Sequence, residues 1–407
     1  MNCRNCAHHL EHVFVDLGHA PPSNAYIDPA SIDKPEATFP LQVYVCEQCW
    51  LVQTNDYIQA EELFNPSYAY FSSVSAGWLK HASEYVEMII ERQQLNKDSQ
   101  VIEIASNDGY LLKNFVAAYI PCFGIEPTTD TAQAAESLGI PILREFFTSQ
   151  LADKLADNNQ QADLIIGNNV LAHVPDILDF VRGLKRILKP TGIVTMEFPH
   201  LLQLIQNNQF DTIYHEHFSY LSLGVVKQIF EQHGLNIVDV EELSTHGGSL
   251  RIYAKHTDAD SSINANVAKV LCDEMSAGLQ ELSIYLDFQE SVEQIKQALL
   301  DFLTEQKRMG NQVIGYGAAA KGNTLLNFAG VKTDLLPAIC DAAPSKQGKL
   351  MPGSHIPIYS PDYLKNHIPD YLLILPWNIA KEVKKQNASL EAAGTKFVTA
   401  VPKLFIS

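Results

Sequence analysis

The order of apolar and polar residues divides the 407-residue chain into stretches of different character. Residues 1 to about 71 hold short β-like runs broken by turn signals; LQVYV before CEQC and WLVQT after it read as a hairpin. In GWLKHASEYVEMIIERQQL, between about 72 and 98, the apolar residues fall at helical spacing. From SQVIEIA onward, strand-like and helical runs alternate through PCFGIEP, IPILREFF, ADLIIGNN and GIVTMEFP, five β-like runs in all. That alternation predicts a mostly parallel sheet with helices on both faces, and the right-handed crossover rule makes it a doubly wound, Rossmann-like sheet. Beyond about residue 255 a mostly helical stretch reaches Met309, and a second α/β set follows in NQVIGYGAAAKGN, LPAICD, YLLILPW and KFVTAVP. The expected parse is three domains: 1–71, 72–255, and 256–407, the last a helical connector followed by a second Rossmann-like unit.

Composition adds limits. With 46% hydrophobic and 19% charged residues, the chain can bury a sizeable core. A net charge of −18 repels polyanions, so neither nucleic acid nor an anionic membrane is an expected partner. No apolar run approaches about 18 residues, and MNCRNCAHHLEHVFVDLG lacks a basic region followed by an apolar one. The expectation is a soluble, cytoplasmic protein.

Seven cysteines are too few and too scattered for a disulfide scaffold. Four of them, Cys3, Cys6, Cys46 and Cys49, form two C-x-x-C pairs near the start, while Cys122, Cys272 and Cys340 stand alone. Tetrahedral zinc takes four soft ligands at about 2.3 Å, and each C-x-x-C turn offers two sulfurs on one side of the ion. The pairs predict a structural Zn2+ that folds a segment with little core of its own. A redox role would need a single pair beside a βαβ unit, and none is evident.

In VIEIASNDGYLL, Glu103 lies in the strand and Ala105, Ser106, Asn107 and Gly109 belong to a small-residue turn into a helix, where backbone N–H groups can approach a ligand. The turn is not G-x-G-x-x-G, so a dinucleotide pyrophosphate fits it poorly. Glu126, ending the next strand in GIEP, is placed to accept from a ribose diol, and Glu145 follows at the end of the third strand. Together these features suit an adenosine-type ligand. Farther along, QFDTIYHEHFSYLS would present His215 and His217 on one face if extended. A metal at His215, Glu216 and His217 is disfavoured, because H-E-H lacks the helical spacing of H-E-x-x-H. In THGGSLR, Arg251 suits either a phosphate or an internal acid. In GYGAAAKG, Gly315, Gly317 and a helix N-terminus form a candidate anion nest with Lys321 as a point charge.

The sequence E-I-A-S-N-D-G, Glu126 and LIIGNNVLAHVPD resemble the class I S-adenosylmethionine methyltransferases, whose usual E-x-G-x-G-x-G carries glycine where this chain has Ala105 and Asn107. A narrower resemblance covers essentially the whole chain. The two C-x-x-C pairs, NPSYAYFSS, EIASNDGYL, EFPHLLQLIQNNQFDTIYHEHFSYLS, THGGSLRIY and GYGAAAKGN together are similar to the nucleotide-sugar C-methyltransferases. This resemblance implies an α/β fold with a central class I sheet, a small N-terminal zinc-binding domain and a C-terminal Rossmann-like domain. It implies S-adenosyl-L-methionine as methyl donor and a dTDP-linked 4-keto-deoxysugar as acceptor, methylated at C3 through an enolate. His217 would be the general base, and Tyr214 and Glu216 would bind the sugar or polarise its ketone, with Tyr68 or Tyr70 reaching over the site. Around the donor it places Glu103, Ala105, Ser106, Asn107, Gly109, Glu126, Asn168 and His173, and on the acceptor side His173, His215, His246, Arg251, Gly315, Gly317 and Lys321. The chemistry is coherent: imidazole suits proton removal beside a carbonyl, and a tyrosine hydroxyl suits the enolate oxygen. Two other classes compete. An NAD-dependent nucleotide-sugar oxidoreductase would use the C-terminal turn with Asp341 as its ribose acid, and a non-catalytic zinc and S-adenosylmethionine-binding adaptor would show a basic, aromatic-interleaved patch.

Overall fold

The computed structural model describes residues 1–64, 70–260 and 262–407. Near the N-terminus, β1 (His12–Ala20), β2 (Phe39–Val45) and β3 (Val52–Thr54) form an antiparallel sheet. The CEQC segment makes the β2–β3 hairpin expected from the flanking apolar runs. Val15, Val43, Val45 and Val52 are fully buried on one side of this sheet.

The central sheet is built from β4 (Val101–Ile104), β5 (Cys122–Ile125), β6 (Ile142–Leu143), β7 (Ala162–Asn168) and β8 (Leu188–Pro199), all parallel. The next strand, β9 (Ser219–Tyr220), leaves this sheet and pairs antiparallel with β3. A long hairpin, β10 (Leu235–Leu243) and β11 (Ser249–His256), then completes the seven-stranded order β10-β11-β8-β7-β4-β5-β6, with β11 antiparallel to both neighbours. All four residues of β4 are buried, as a central parallel strand covered on both faces requires. The chain leaves β4 in one direction to β5 and β6 and returns on its other side at β7. A crevice therefore opens at the carboxyl ends of β4 and β7, the switch point at which such sheets bind ligands.

Helix Ala76–Gln93 starts at Ser75, whose hydroxyl accepts from the Trp78 N–H, and buries Ala82, Tyr85, Val86 and Ile89. Helix Leu112–Ala117 follows the β4 turn and is fixed on the sheet by the fully buried Leu112 and Phe115. The long connector helix Phe288–Met309 packs on the N-terminal sheet, with Phe14 and Phe288 stacked at 4.6 Å.

The third sheet contains β12 (Val313–Tyr316), β13 (Ile339–Cys340), β14 (Ile358–Tyr359), β15 (Tyr371–Ile374), β16 (Lys396–Thr399) and β17 (Phe405–Ile406). Its order is β14-β13-β12-β15-β16-β17, parallel except for β17, so the direction reverses again beside β12. No helix among the described residues is long and apolar enough to cross a membrane.

Gly124 in β5 shows how closely the central sheet meets the β4 turn. A Cβ there would lie 2.1 Å from Ser106 Oγ and 2.7 Å from Ile142 Cδ1. Gly124→Ala is expected to lower stability by about 1–3 kcal/mol through overpacking, read as an earlier urea midpoint; an unchanged midpoint would show that the turn yields without cost.

Candidate active site and metal centre

The two C-x-x-C turns are built alike. Ala7 N–H donates to the Cys3 carbonyl at 2.9 Å and Trp50 N–H to the Cys46 carbonyl at 2.7 Å, and both closing residues have positive φ, 59° and 65°. Cys3 and Cys49 sulfurs are 3.5 Å apart, as are those of Cys6 and Cys46, and all four lie within 4.8 Å of one another. Sulfurs about 2.3 Å from a common tetrahedral centre would be separated by just such distances. The Cys49 thiol donates to Cys3 and drops it to about 4, while burial lifts Cys46 to about 11. A divalent cation is what lets all four sulfurs be anionic together. The four cysteines are placed to hold a structural Zn2+.

The turn after β4 forms the floor of the crevice. Ala105, Asn107 and Gly109 all have positive φ (56°, 50° and 75°), which for alanine is strained by roughly 1–2 kcal/mol. Asparagine tolerates this region better. Gly109 is required by packing too, since a Cβ would lie 2.5 Å from Ile140 Cδ1. Glu126, buried, accepts from the N–H of Asn107 at 2.9 Å and from the N–H of Thr128 at 2.9 Å. It therefore fixes the turn from the end of β5, the position expected of a ribose acid. Burial pushes the Glu103 carboxyl well above its usual range, and neither of its oxygens has a hydrogen-bond partner at normal distance. A buried acid under the turn, reached only by the Tyr110 hydroxyl, fits a ligand that brings a hydrogen-bond donor or a cation, as the ammonium of S-adenosylmethionine would. Asn168 Nδ2 donates to the Tyr110 hydroxyl at 3.4 Å, and Trp78 stacks on Tyr110 with ring centroids 5.9 Å apart. His246 meets the edge of Trp78 at 5.0 Å and lies 3.0 Å from Asn169 Nδ2.

Beside this crevice stands an imidazole and phenol cluster. The His217 ring lies 4.0 Å from that of Tyr214 and 4.6 Å from that of His173. His217 Nδ1 donates to the Thr212 carbonyl at 2.8 Å, which leaves the lone pair on Nε2. Burial drives His217 well below its ordinary value, with His173 adding to the effect, and drives His173 itself to about 4. Burial also pushes Tyr214 well above 10, so it keeps its proton. Glu216 is held by Asn24 Nδ2 at 2.7 Å, a residue of the N-terminal region. From the C-terminal domain, Lys321 lies over Trp377 at 4.8 Å and donates to Asn378 Oδ1 at 2.7 Å; its charge is felt by His217, His246 and Asp211. Tyr70 shares the fields of Lys346 and Asp108. Tyr68 lies outside the described residues.

Several expected placements are corrected. Residues Tyr214 to His217 form a turn, His217 N–H donating to the Tyr214 carbonyl at 2.9 Å, so the two histidines diverge. His215 instead donates to the Pro40 carbonyl at 3.3 Å beside Phe39, against the N-terminal sheet. Arg251 is taken up internally by Glu197 at 2.9 Å and Glu241 at 3.1 Å, stacked 4.4 Å over Tyr85. The N–H groups of Gly315 and Gly317 serve the sheet, donating to the carbonyls of Ala338 and Cys340. Between that turn and β13, Asp341 accepts from Ala318 N–H at 2.6 Å and Ala343 N–H at 2.7 Å. Asp341 thus fixes the turn after β12 as Glu126 fixes the turn after β4, and the N–H groups of Gly315 and Gly317 are not free for an anion. Asp211, Asn24, Tyr26 and Lys346 were not singled out by sequence; Asp211 could have been, since it lies in the same QFDTIYHEH motif.

The seven-stranded order with one antiparallel strand, and the ligand turn at its switch point, define a class I methyltransferase fold. Family models match the chain in succession: "Putative zinc binding domain" over residues 3–64, "Methyltransferase domain" over 78–240 and "C-methyltransferase C-terminal domain" over 244–402. The C-methyltransferase NovU of Streptomyces niveus is 34% identical over 401 residues, covering 98% of this chain and 95% of that protein. Among solved structures, an S-adenosylmethionine-dependent methyltransferase from Clostridium acetobutylicum ATCC 824 aligns at 15% identity and TM-score 0.37, covering 44% of this chain and 92% of its own. The PH0226 protein of Pyrococcus horikoshii OT3 aligns at 13% identity and TM-score 0.39, covering 49% and 99%. The chain belongs to the C-methyltransferase family with an N-terminal zinc domain, and it is an S-adenosylmethionine-dependent C-methyltransferase.

Replacing Cys46 and Cys49 together by serine is expected to reduce bound zinc from about one ion per chain to a trace. Elemental analysis of the purified proteins measures it; full zinc retention would exclude the four-sulfur centre.

Proposed function

We propose that the protein methylates C3 of a dTDP-linked 4-keto-deoxysugar, with His217 as the base that generates the enolate. The observation that carries this reading is the fixed tautomer of His217. Its Nδ1 proton is held by the Thr212 carbonyl, its Nε2 lone pair is available, and a protonated tyrosine lies 4.0 Å away ring to ring. In this reading Nε2 removes the proton alpha to the ketone, the C–H electron pair moves into the enolate, and the Tyr214 hydroxyl donates to the enolate oxygen. Glu216, oriented by Asn24, accepts from a sugar hydroxyl. S-adenosylmethionine, when bound, supplies an electrophilic sulfonium methyl. The α-carbon forms the new C–C bond in line with the breaking S–CH3 bond, and the sulfur keeps that electron pair. The cluster's part is alignment and exclusion of water.

The nucleotide is assigned to a groove of about 520 Å³ that includes Glu216 in its lining, together with Asn24, Tyr26, Lys34, Phe39 and His355. Lys34 is the lysine of its lining, which also carries Asp28, Glu36 and Glu62. NovU, similar over nearly the full length, is named a C-methyltransferase, which supports carbon as the acceptor atom. The reaction belongs in the cytoplasm, where free thiols persist as metal ligands.

His217→Ala is expected to lower kcat by about 10²–10⁴-fold while leaving S-adenosylhomocysteine affinity nearly unchanged. The same variant should lose deuterium exchange at C3 of a dTDP-4-ketosugar in heavy water; retained exchange would remove His217 from the role. Because burial depresses His217, the neutral base persists as pH falls, and the acid limb of kcat/KM is expected below pH 6.5. A limb above that value in the pH profile would contradict a desolvated imidazole.

A further inference from the structure

Asn107 stands where the class I pattern usually carries glycine, in a backbone conformation (φ 50°) that glycine adopts freely. Its side chain is used in a way no glycine could be. Asn107 Oδ1 accepts from Ser72 N–H at 2.9 Å, and its Nδ2 donates to the Tyr70 carbonyl at 3.1 Å. The neighbouring Asp108 Oδ2 accepts from Ser73 N–H at 3.0 Å. Three hydrogen bonds therefore tie the donor turn to the segment Tyr70–Ser73. That segment carries Tyr70, whose phenol is in the field of Lys346 from the C-terminal domain and acts on Tyr214 in the cluster. The backbone of the same turn is already set by Glu126, through Asn107 N–H.

We propose that Asn107 is a positioning residue, a latch by which the donor turn sets the segment bearing Tyr70 over the acceptor, so that donor occupancy raises acceptor affinity. The inference rests on the reading of a sugar-nucleotide acceptor facing Tyr70. With the turn set by Glu126, Oδ1 and Nδ2 hold Ser72 and Tyr70, and a donor resting on the same turn stabilises that arrangement further. By linkage the acceptor must then tighten donor binding by the same factor.

Asn107→Gly in the full-length zinc protein tests this, because the backbone conformation suits glycine and the turn should stay folded. In the parent protein, hydrogen exchange in the peptide spanning Tyr70 to Ser75 is expected to slow with S-adenosylhomocysteine; in the variant it should stay fast with or without it. Calorimetry with dTDP as probe should show affinity rising by about tenfold with S-adenosylhomocysteine in the parent and by less than about twofold in the variant. By the same linkage S-adenosylhomocysteine affinity alone should fall by no more than about tenfold. Asn107→Asp, which keeps the acceptor for Ser72 and loses the donor to Tyr70, should fall between the two. Unchanged exchange in Asn107→Gly overturns the latch, and so does a collapse of S-adenosylhomocysteine affinity, which would make Asn107 a donor contact. If exchange responds as expected but dTDP binds neither protein, the latch stands and the sugar-nucleotide acceptor is overturned.

Discussion

Two rungs of antiparallel ladder, Val52 to Tyr220 and Gln53 to Ser219, hold the H-E-H segment against the sheet that zinc builds. The surrounding bonds extend the same seam. Thr54 N–H donates to the Phe218 carbonyl at 3.1 Å, the Thr54 hydroxyl donates to the His217 carbonyl at 3.2 Å, and Phe218 N–H donates to the Ala172 carbonyl at 2.8 Å. The backbone of His217 is thereby fixed from the N-terminal sheet on one side and from the loop after β7 on the other. The four cysteines bear on where the proposed base stands, because the β2–β3 hairpin that carries Cys46 and Cys49 is the partner of β9. Such a seam also explains why a short strand from the middle of the chain leaves the central sheet.

The electrostatics of the site follow from desolvation. His217, His173 and His246 are all depressed, each first by burial, and Tyr214 is raised for the same reason. The result is a cluster whose three imidazoles are neutral, with the Glu216 carboxylate and Lys321 as charges beside them. In water an imidazole and a phenol compete with solvent for the same proton. In a dry cluster their hydrogen bonds are stronger and need no reorganisation when charge appears. The overall charge of −18 therefore says little about the site itself.

Features that depend on near neighbours in sequence were legible. The C-x-x-C knuckles, the alternation of strands and helices and the β4 turn are each set within a few residues. Features that depend on long-range contact were not. The paired histidines were placed on one face by assuming an extended segment, but the Tyr214 to His217 turn separates them. Arg251 left phosphate and internal acid open because Glu197, 54 residues away, is invisible to local pattern. At the glycine turn of 315–317, local pattern does not show that the N–H groups of Gly315 and Gly317 pair with the distant carbonyls of Ala338 and Cys340. Asn24, which orients Glu216 across 192 positions of chain, sits in a proline-flanked stretch with no chemical signature of its own.

The placement of Asp341 has a wider meaning. With the Asp341 oxygens on the N–H groups of Ala318 and Ala343, and with Lys346 and Tyr26 both bonded to the Ala318 carbonyl, the turn after β12 is held entirely by groups of the chain itself. The two sheets fix their first turn by the same device, an acid at the end of the neighbouring strand bonded to an N–H of the turn and to the N–H two residues beyond itself.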